Sequence, residues 1–260
     1  MTVRYSIADG VAVAEIDRPD VRNAIDLATL AALDQAIDSA VADGARALVL
    51  AGRGPAFCAG ADLGLVRQAF AGDAPSVLGP LVDTLHALIR RVRSLPMPVV
   101  AGLEGPAVGA GMGLALAADV RVAARSALLV PGYFGIGSSP DGGVSYFLTR
   151  ALGAARATAL TIRNRPLRAD DMLAAGLVEE VVDDGKAVDA AKDLAAELAA
   201  STPPLALVRL RALVDEATVR NLDAQLDAER QGVAELWPSA DFREGVGAFL
   251  ERRRPSFSGT

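Results

Sequence analysis

The sequence predicts an α/β fold carrying a helical C-terminal appendage. Short apolar runs alternate with helix-spaced segments through most of the chain. Several of those runs lead into glycine-rich turns, and beyond roughly residue 186 nearly everything has helical spacing.

Val11 to Ile16 reads as a strand, followed by the turn Asp17-Arg18-Pro19-Asp20. Asp26 suits a helix cap, and Leu30, Leu33, Ile37 and Val41 keep one helical face until Gly44 stops it. Ala47 to Leu50 is a continuous apolar strand that runs into Gly52-Arg53-Gly54-Pro55. Val66 to Pro80 reads as a mobile loop because of its glycine and proline content. A helical run, Leu81–Leu85–Leu88–Val92, then carries the only histidine, His86. Pro98 to Ala101 is a strand, Gly109 to Ala118 a tightly packed helix of small residues, and Val120 to Ala123 another strand. A helix around Leu152 to Ile162, a short one from Asp170 to Ala175, and a strand from Leu177 to Val182 complete the mixed region. Thr202-Pro203-Pro204 and Trp237-Pro238 interrupt the helical tail.

At 260 residues the chain can bury one large core, and 52% hydrophobic against 22% charged residues makes it globular. A net charge of −6 with no basic block argues against nucleic acid and against an anionic membrane surface as partner. The apolar stretch from Leu95 to Val120 is punctuated by prolines, glycines and Glu104, so it does not read as a membrane span. One histidine and one cysteine cannot build the usual zinc sites, so no metal is expected. The lone Cys58 and the absence of a secretory pattern in the first ten residues suit a reducing cytoplasm. His86 reads as a partly buried or solvated helix residue, and Cys58 as a small packed one.

Two loops stand out. The first is Ala56-Phe57-Cys58-Ala59-Gly60-Ala61-Asp62-Leu63; the second runs from Glu104 through Gly109-Ala110-Gly111-Met112-Gly113 into a helix. Small side chains let a ligand approach the backbone, and free N–H groups at a helix N-terminus face developing negative charge. Two such turns converging would form an oxyanion hole. The second loop has the wrong spacing for a dinucleotide fingerprint, because Leu114 stands where the third glycine belongs. Close packing through small residues is the competing explanation for each loop alone.

Together the segments resemble the crotonase, or enoyl-CoA hydratase/isomerase, family. The resemblance rests on Arg18-Pro19, Arg22-Asn23-Ala24, Phe57 to Leu63, Pro98 to Ala101 and Gly109 to Gly113. It continues through Ala117-Ala118-Asp119-Val120-Arg121, Gly176-Leu177-Val178 and Phe242 to Arg253. It implies a crotonase-like ββα spiral core over residues 1–200 and a C-terminal helical trimerisation region over 201–260. The assembly would be a homotrimer or a dimer of trimers, and the substrate an acyl-CoA thioester. Coenzyme A would arrive as part of that substrate, with no separate cofactor. The N–H groups of Ala61 and Ala110 would hold the thioester oxygen, each worth roughly 3–4 kcal/mol if correctly aimed. Arg22 would lie near the CoA phosphates, Ala59, Asp62 and Leu63 along the adenine loop, and Ala24 would also bind substrate. Alanine stands at 110 where the family usually has glycine, which narrows the approach.

Hydration in this family uses two glutamates, and by resemblance their positions are Gly113 and Tyr133 here. Neither can serve as a carboxylate. Asp141, in Gly137-Ser138-Ser139-Pro140-Asp141-Gly142-Gly143, resembles the acid of Δ3,Δ2-enoyl-CoA isomerases and phenylacetate-pathway isomerases. One carboxylate can shuttle a proton between two carbons while the enolate waits. Burial against Tyr133, Phe134 and Tyr146 would raise its pKa toward a useful value. Pro-Asp-Gly-Gly is also good turn chemistry. Tyr133 would either hydrogen-bond substrate or wall the pocket, and Glu104 suits a solvated or structural role. The expected activity is a double-bond shift in an enoyl-CoA. The alternatives are hydration, ring isomerisation, C–C cleavage, and a non-catalytic CoA-binding subunit.

Overall fold

The computed structural model describes residues 2–260. In chain order the elements are β1 (Val3–Ala8), β2 (Val11–Ile16), α1 (Leu27–Ala42), β3 (Ala47–Gly52), α2 (Leu63–Phe70) and α3 (Ala74–Ser94). Next come β4 (Val99–Leu103), β5 (Ala107–Val108), α4 (Ala110–Ala117), β6 (Val120–Ala124) and β7 (Leu128–Val130). They are followed by α5 (Val144–Leu152), α6 (Ala154–Ile162), β8 (Leu167–Arg168), α7 (Ala169–Ala174) and β9 (Glu180–Val182). The chain ends with α8 (Ala187–Ser201), α9 (Pro204–Glu216), α10 (Leu222–Leu236) and α11 (Ala240–Glu251).

Six strands form one sheet in the order β1-β2-β3-β4-β6-β9, parallel throughout except for the β1–β2 hairpin. A smaller sheet, β5-β7-β8, turns away from it. β3 is buried at every position, as expected of a parallel strand covered on both faces. Its alternation divides the interior: Leu48 and Leu50 join the main core with α1, α3 and α4. Ala47 and Val49 face the other way, with Val11, Val100 and Val122, onto Ala191 and Ala195 of α8. Small residues let α8 lie close, since a Cβ on Gly102 would stand 3.1 Å from Ala187 O. Glu104 holds the start of α8, accepting from the N–H groups of Gly185 (2.8 Å) and Ala187 (2.7 Å). Its role is structural.

Several elements differ from the sequence expectation. β1 pairs as an edge strand although only Val3 of it is buried, so it lacks an alternating apolar signal. Residues 66–80 form most of α2 and the opening turns of α3. Pro75 sits at the start of α3, where a missing N–H costs nothing, and Pro80 lies on its exposed side where water can satisfy the freed carbonyl. The helix expected around Leu152 to Ile162 is α6; Gly153, at φ 76°, separates it from α5, which carries no expectation from the sequence. Only residues 180–182 of the expected 177–182 strand pair with a neighbour. Val41 is 48% exposed, because the buried stripe of α1 runs Leu30, Leu33, Ile37, Ala40 instead.

The helices beyond Ser201 are tied to the core by charge. Arg211 of α9 is 5% exposed. It bonds both carboxylate oxygens of Asp119 and donates to the carbonyls of Leu95 and Met97. Asp119 also accepts from Val99 N–H at 2.8 Å and pairs with Arg93, whose Nε is left buried without a partner among the described residues.

Glu104→Ala should cost about 1–2 kcal/mol, as lost helix caps do, lowering Tm by about 3–6 °C with partial recovery in Glu104→Gln. An unchanged melting temperature would contradict that role. Glu244 accepts from Arg253 (2.6 and 2.8 Å) and from Ser256 N–H (2.8 Å). These bonds, Arg253 first, hold its carboxyl at about 2, below the ordinary 4.5. A depressed carboxyl favours the folded tail above 4.5 and loses that effect as pH falls toward 2. NMR relaxation of the Ser256 and Ser258 amides should therefore report tail release across that acid window and none near neutrality.

Candidate active site

The first loop is shaped from β3 outward. The buried Asn23 donates to the carbonyls of Arg53 (3.0 Å) and Ala56 (2.7 Å) and accepts from Arg18 N–H (2.9 Å). Phe57 and Cys58 N–H both reach Pro106 O, and Val108 N–H returns to Cys58 O at 2.9 Å. That ladder lays the loop beside β5, immediately before α4. On its other side Ile25 donates to Gly60 O (2.8 Å) and accepts from Asp62 N–H (2.9 Å). In such a parallel bridge Ala61 turns its own N–H away from Ile25, and it has no acceptor among the described residues.

The second loop supplies a similar group. Gly109, at φ 52°, opens α4, and Ala110 is the first residue of the helix, so its N–H has no partner within the helix. The two turns meet closely: a Cβ on Gly60 would lie 2.8 Å from Val108 O and 3.8 Å from Ala110 N. One on Gly111 would lie 2.4 Å from Cys58 O. Two free N–H groups on adjoining turns, one at a positive helix end, can share a developing oxyanion.

Asp141 belongs to the third loop. Tyr133 Oη donates to Asp141 Oδ1 at 2.9 Å and to its carbonyl at 3.2 Å. Asp141 Oδ2 has no hydrogen-bond partner among the described residues. The Tyr133 ring also lies beside Gly109, 3.8 Å from the place of its Cβ, which connects the acid to the turn carrying Ala110. Burial pushes the Tyr133 hydroxyl well above its ordinary value, and the charge of Asp141 adds to that, so it remains a proton donor. The enclosure expected from three aromatic rings comes from Tyr133 alone. Phe134 is 50% exposed, and Tyr146 stacks with Arg150 and donates to Asp215 O.

Behind Asp141 the packing is backbone on backbone. A Cβ on Gly113 would stand 2.4 Å from Gly142 O, so no side chain fits at 113 while the loop lies there. Gly142 and Gly143 are both left-handed (φ 57° and 74°), which turns the chain into α5. Gly142 N–H donates to His86 Nε2 of α3 at 3.1 Å, a contact with no signal in the sequence because the partners are 56 residues apart.

The remaining expected residues line the loop edge. Arg22 is exposed at φ 52°, with its carbonyl bound by Ala59 N–H at 3.0 Å. Ala24 is buried beneath it, and its carbonyl accepts from Arg18. Leu63 opens α2 and is 74% exposed. Asp62 caps that helix through Gly64 N–H (2.8 Å) and pairs with Arg18 (2.9 Å). Desolvation alone would raise the Asp62 carboxyl; the Gly64 N–H, Arg18 and Leu65 N–H outweigh it and leave the pKa lowered. Arg18 thereby joins both margins of the loop, a role the sequence did not signal. Cys58 is wholly buried, which pushes its thiol up to about 12 and removes it as a nucleophile at neutral pH. Among the described residues no cluster of His, Cys, Asp or Glu is placed to hold a metal, and no helix is long and apolar enough to cross a membrane.

Comparison with known proteins agrees with this geometry. The family model described as enoyl-CoA hydratase/isomerase matches residues 6–260. A probable enoyl-CoA hydratase of Rhodobacter capsulatus is 39% identical, over 99% of this chain and 98% of its own. The 1,2-epoxyphenylacetyl-CoA isomerase of Escherichia coli K12 is 37% identical over 97% of both chains. The crystal structure of an enoyl-CoA hydratase from Polaromonas sp. JS666 superposes with a TM-score of 0.92 at 34% identity, covering 98% of this chain and 99% of that one. With the parallel sheet, the adjoining loops and these full-length matches in agreement, the chain belongs to the crotonase, or enoyl-CoA hydratase/isomerase, family and has its fold.

Proposed function

We propose that this acyl-CoA enzyme is an enoyl-CoA isomerase in which Asp141 shuttles one proton. The observation that carries the reading is the packing of the Asp141 loop over Gly113. By the family resemblance Gly113 and Tyr133 stand where a hydratase carries its two acids; backbone fills the space beside Gly113, and Tyr133 holds Asp141. Water addition needs a nucleophile and a proton to arrive together, and one carboxylate serves that poorly. A double-bond shift needs only one. Tyr133 occupies Oδ1, so Oδ2 is the oxygen that takes the C2 proton. The thioester oxygen gains the enolate charge against the N–H groups of Ala61 and Ala110, and Oδ2 returns the proton two carbons away. The cycle changes no oxidation state and ends where it began, so it calls for no separate cofactor. Arg22, exposed at the loop edge, suits the CoA phosphates; Ala59, Asp62 and Leu63 follow the adenine loop, and Ala24 lies beside Arg22 on the substrate side. The single buried thiol suits a cytoplasmic enzyme.

Hydration is the second reading, motivated by the 39% identical relative named a probable hydratase. Separate incubations of 3-hexenoyl-CoA and crotonyl-CoA with mass detection distinguish the two: isomerisation leaves mass unchanged and hydration adds water. In Asp141→Asn, isomerisation and C2 deuterium exchange should fall about 10²–10⁴-fold with KM changed less than about threefold. Full turnover in that variant would remove the assignment.

We also propose that the helices beyond Ser201 pack between subunits as a trimer or dimer of trimers. Leu222, Trp237, Phe249 and Leu250 are exposed there, Phe249 at 82%, more apolar surface than an isolated subunit normally leaves open. Phe249→Glu should shift the mass seen by light scattering toward monomer. A wild-type protein that is itself monomeric at micromolar concentration would refute the proposal.

A further inference from the structure

His86 is the chain's only histidine and has no place in the proton shuttle just described. Its Nε2 nevertheless accepts the N–H of Gly142, the peptide group directly after Asp141, at 3.1 Å. The bond is held from both sides. On α3, Leu85 and Ile89 are buried around it, and their side chains lie 3.4 and 3.6 Å from where a Gly142 Cβ would stand. On α4, Gly113 supports the same glycine from beneath. Asp141 itself is fixed at its carbonyl, which accepts from Tyr133 Oη and from Val144 N–H (3.1 Å), and at Oδ1. The Gly142 N–H is the remaining polar group next to the carboxylate, and His86 takes it. Gly142 sits at φ 57°, so without that acceptor the loop can swing between glycine conformations and carry Oδ2 with it.

We infer that His86 is a positioning residue: as neutral imidazole it pins the Gly142 peptide and so fixes the direction of the Asp141 carboxylate. The inference rests on Asp141 being the proton shuttle. It requires a defined tautomer, because Nε2 can accept only when the ring proton is on Nδ1. The ionisable groups on elements packed against α3 are Arg67 on α2, Asp34 and Asp38 on α1, paired with Arg91, and Asp215 and Arg211 on α9, which meet Arg93 at the far end of the helix. α4 brings none, Asp83 and Arg90 flank the ring on its own helix, and the third loop brings Tyr133 and Asp141.

With one imidazole in the chain, a long-range ¹H–¹⁵N spectrum of labelled wild-type protein at neutral pH reads the tautomer without assignment. The Nδ1–H form is expected; a protonated Nε2 would overturn the inference before any variant is made. In isomerisation of 3-hexenoyl-CoA, His86→Ala should lower kcat about 10–100-fold with KM changed less than about twofold, as misorientation does. His86→Gln, whose amide oxygen reaches the place of Nε2 and can accept from Gly142, should recover most of that loss. Wild-type kcat in His86→Ala, or equal losses in both variants, would overturn a positioning role. If Asp141→Asn has lost exchange, those results bear on His86 alone. If Asp141→Asn keeps full exchange, the shuttle and this inference fall together.

Discussion

Contact between backbones around the N-terminal half of α4 is the constraint on which the site depends. Gly111 lies where any side chain would collide with the first loop, and Gly113 where any side chain would collide with the Asp141 loop. Helix interiors disfavour glycine by about 1 kcal/mol relative to alanine, so two within one short helix are expensive unless something requires them. Here the requirement is that three loops reach one helix end at peptide-to-peptide distance. The same packing extends outward through Gly52 and Gly105, whose Cβ positions would fall 2.1 Å from Phe57 O of the first loop and 2.1 Å from Pro55 O just before it. The turns that carry Ala61 and Ala110 adjoin because glycines at 60 and 111 let their backbones approach.

Around this apolar, small-residue centre the orientation is set by polar groups with their partners satisfied. Asn23 and Arg18 hold the first loop, Glu104 holds the start of α8, and the Asp119–Arg211 pair joins α9 to the core. Such groups give little net stability compared with apolar replacements, but losing one partner leaves a buried donor or charge unmet. They therefore specify one arrangement. Tyr133 belongs among them, because its hydroxyl is committed to Asp141 and the question of whether it touches substrate becomes secondary to how it aims the acid.

The chemistry divides in the same manner. An oxyanion hole stabilises an enolate whatever its later fate, so it defines the substrate class and not the reaction. Reaction type follows from which acids stand beside the enolate and how firmly they are directed. In this chain the Asp141 loop occupies the volume above Gly113, so the place of that carboxylate and the shape of α4 are linked.

Patterns of local periodicity and spacing were sufficient for the central strands, for α1 and α4, and for the two small-residue loops. Their signals lie within a few residues, and burial on both sheet faces leaves β3 no polar position to confuse the pattern. The family resemblance likewise lay in short ordered motifs spread along the chain. The early helices over residues 66–80 were missed because proline and glycine composition does not tell a solvent-facing helix start from a loop. β1 was missed because an edge strand need bury only one residue. The partners of Asn23, Arg18, Arg211 and His86 were beyond reach for a different reason: each bond joins segments separated by 30 to more than 100 residues. Sequence by itself determined which backbone groups and which carboxylate are available, since those are properties of residue type and local conformation. Only tertiary structure decided that the loops carrying them meet at one helix end and that Tyr133 holds the carboxylate, because those contacts join segments that no local pattern links.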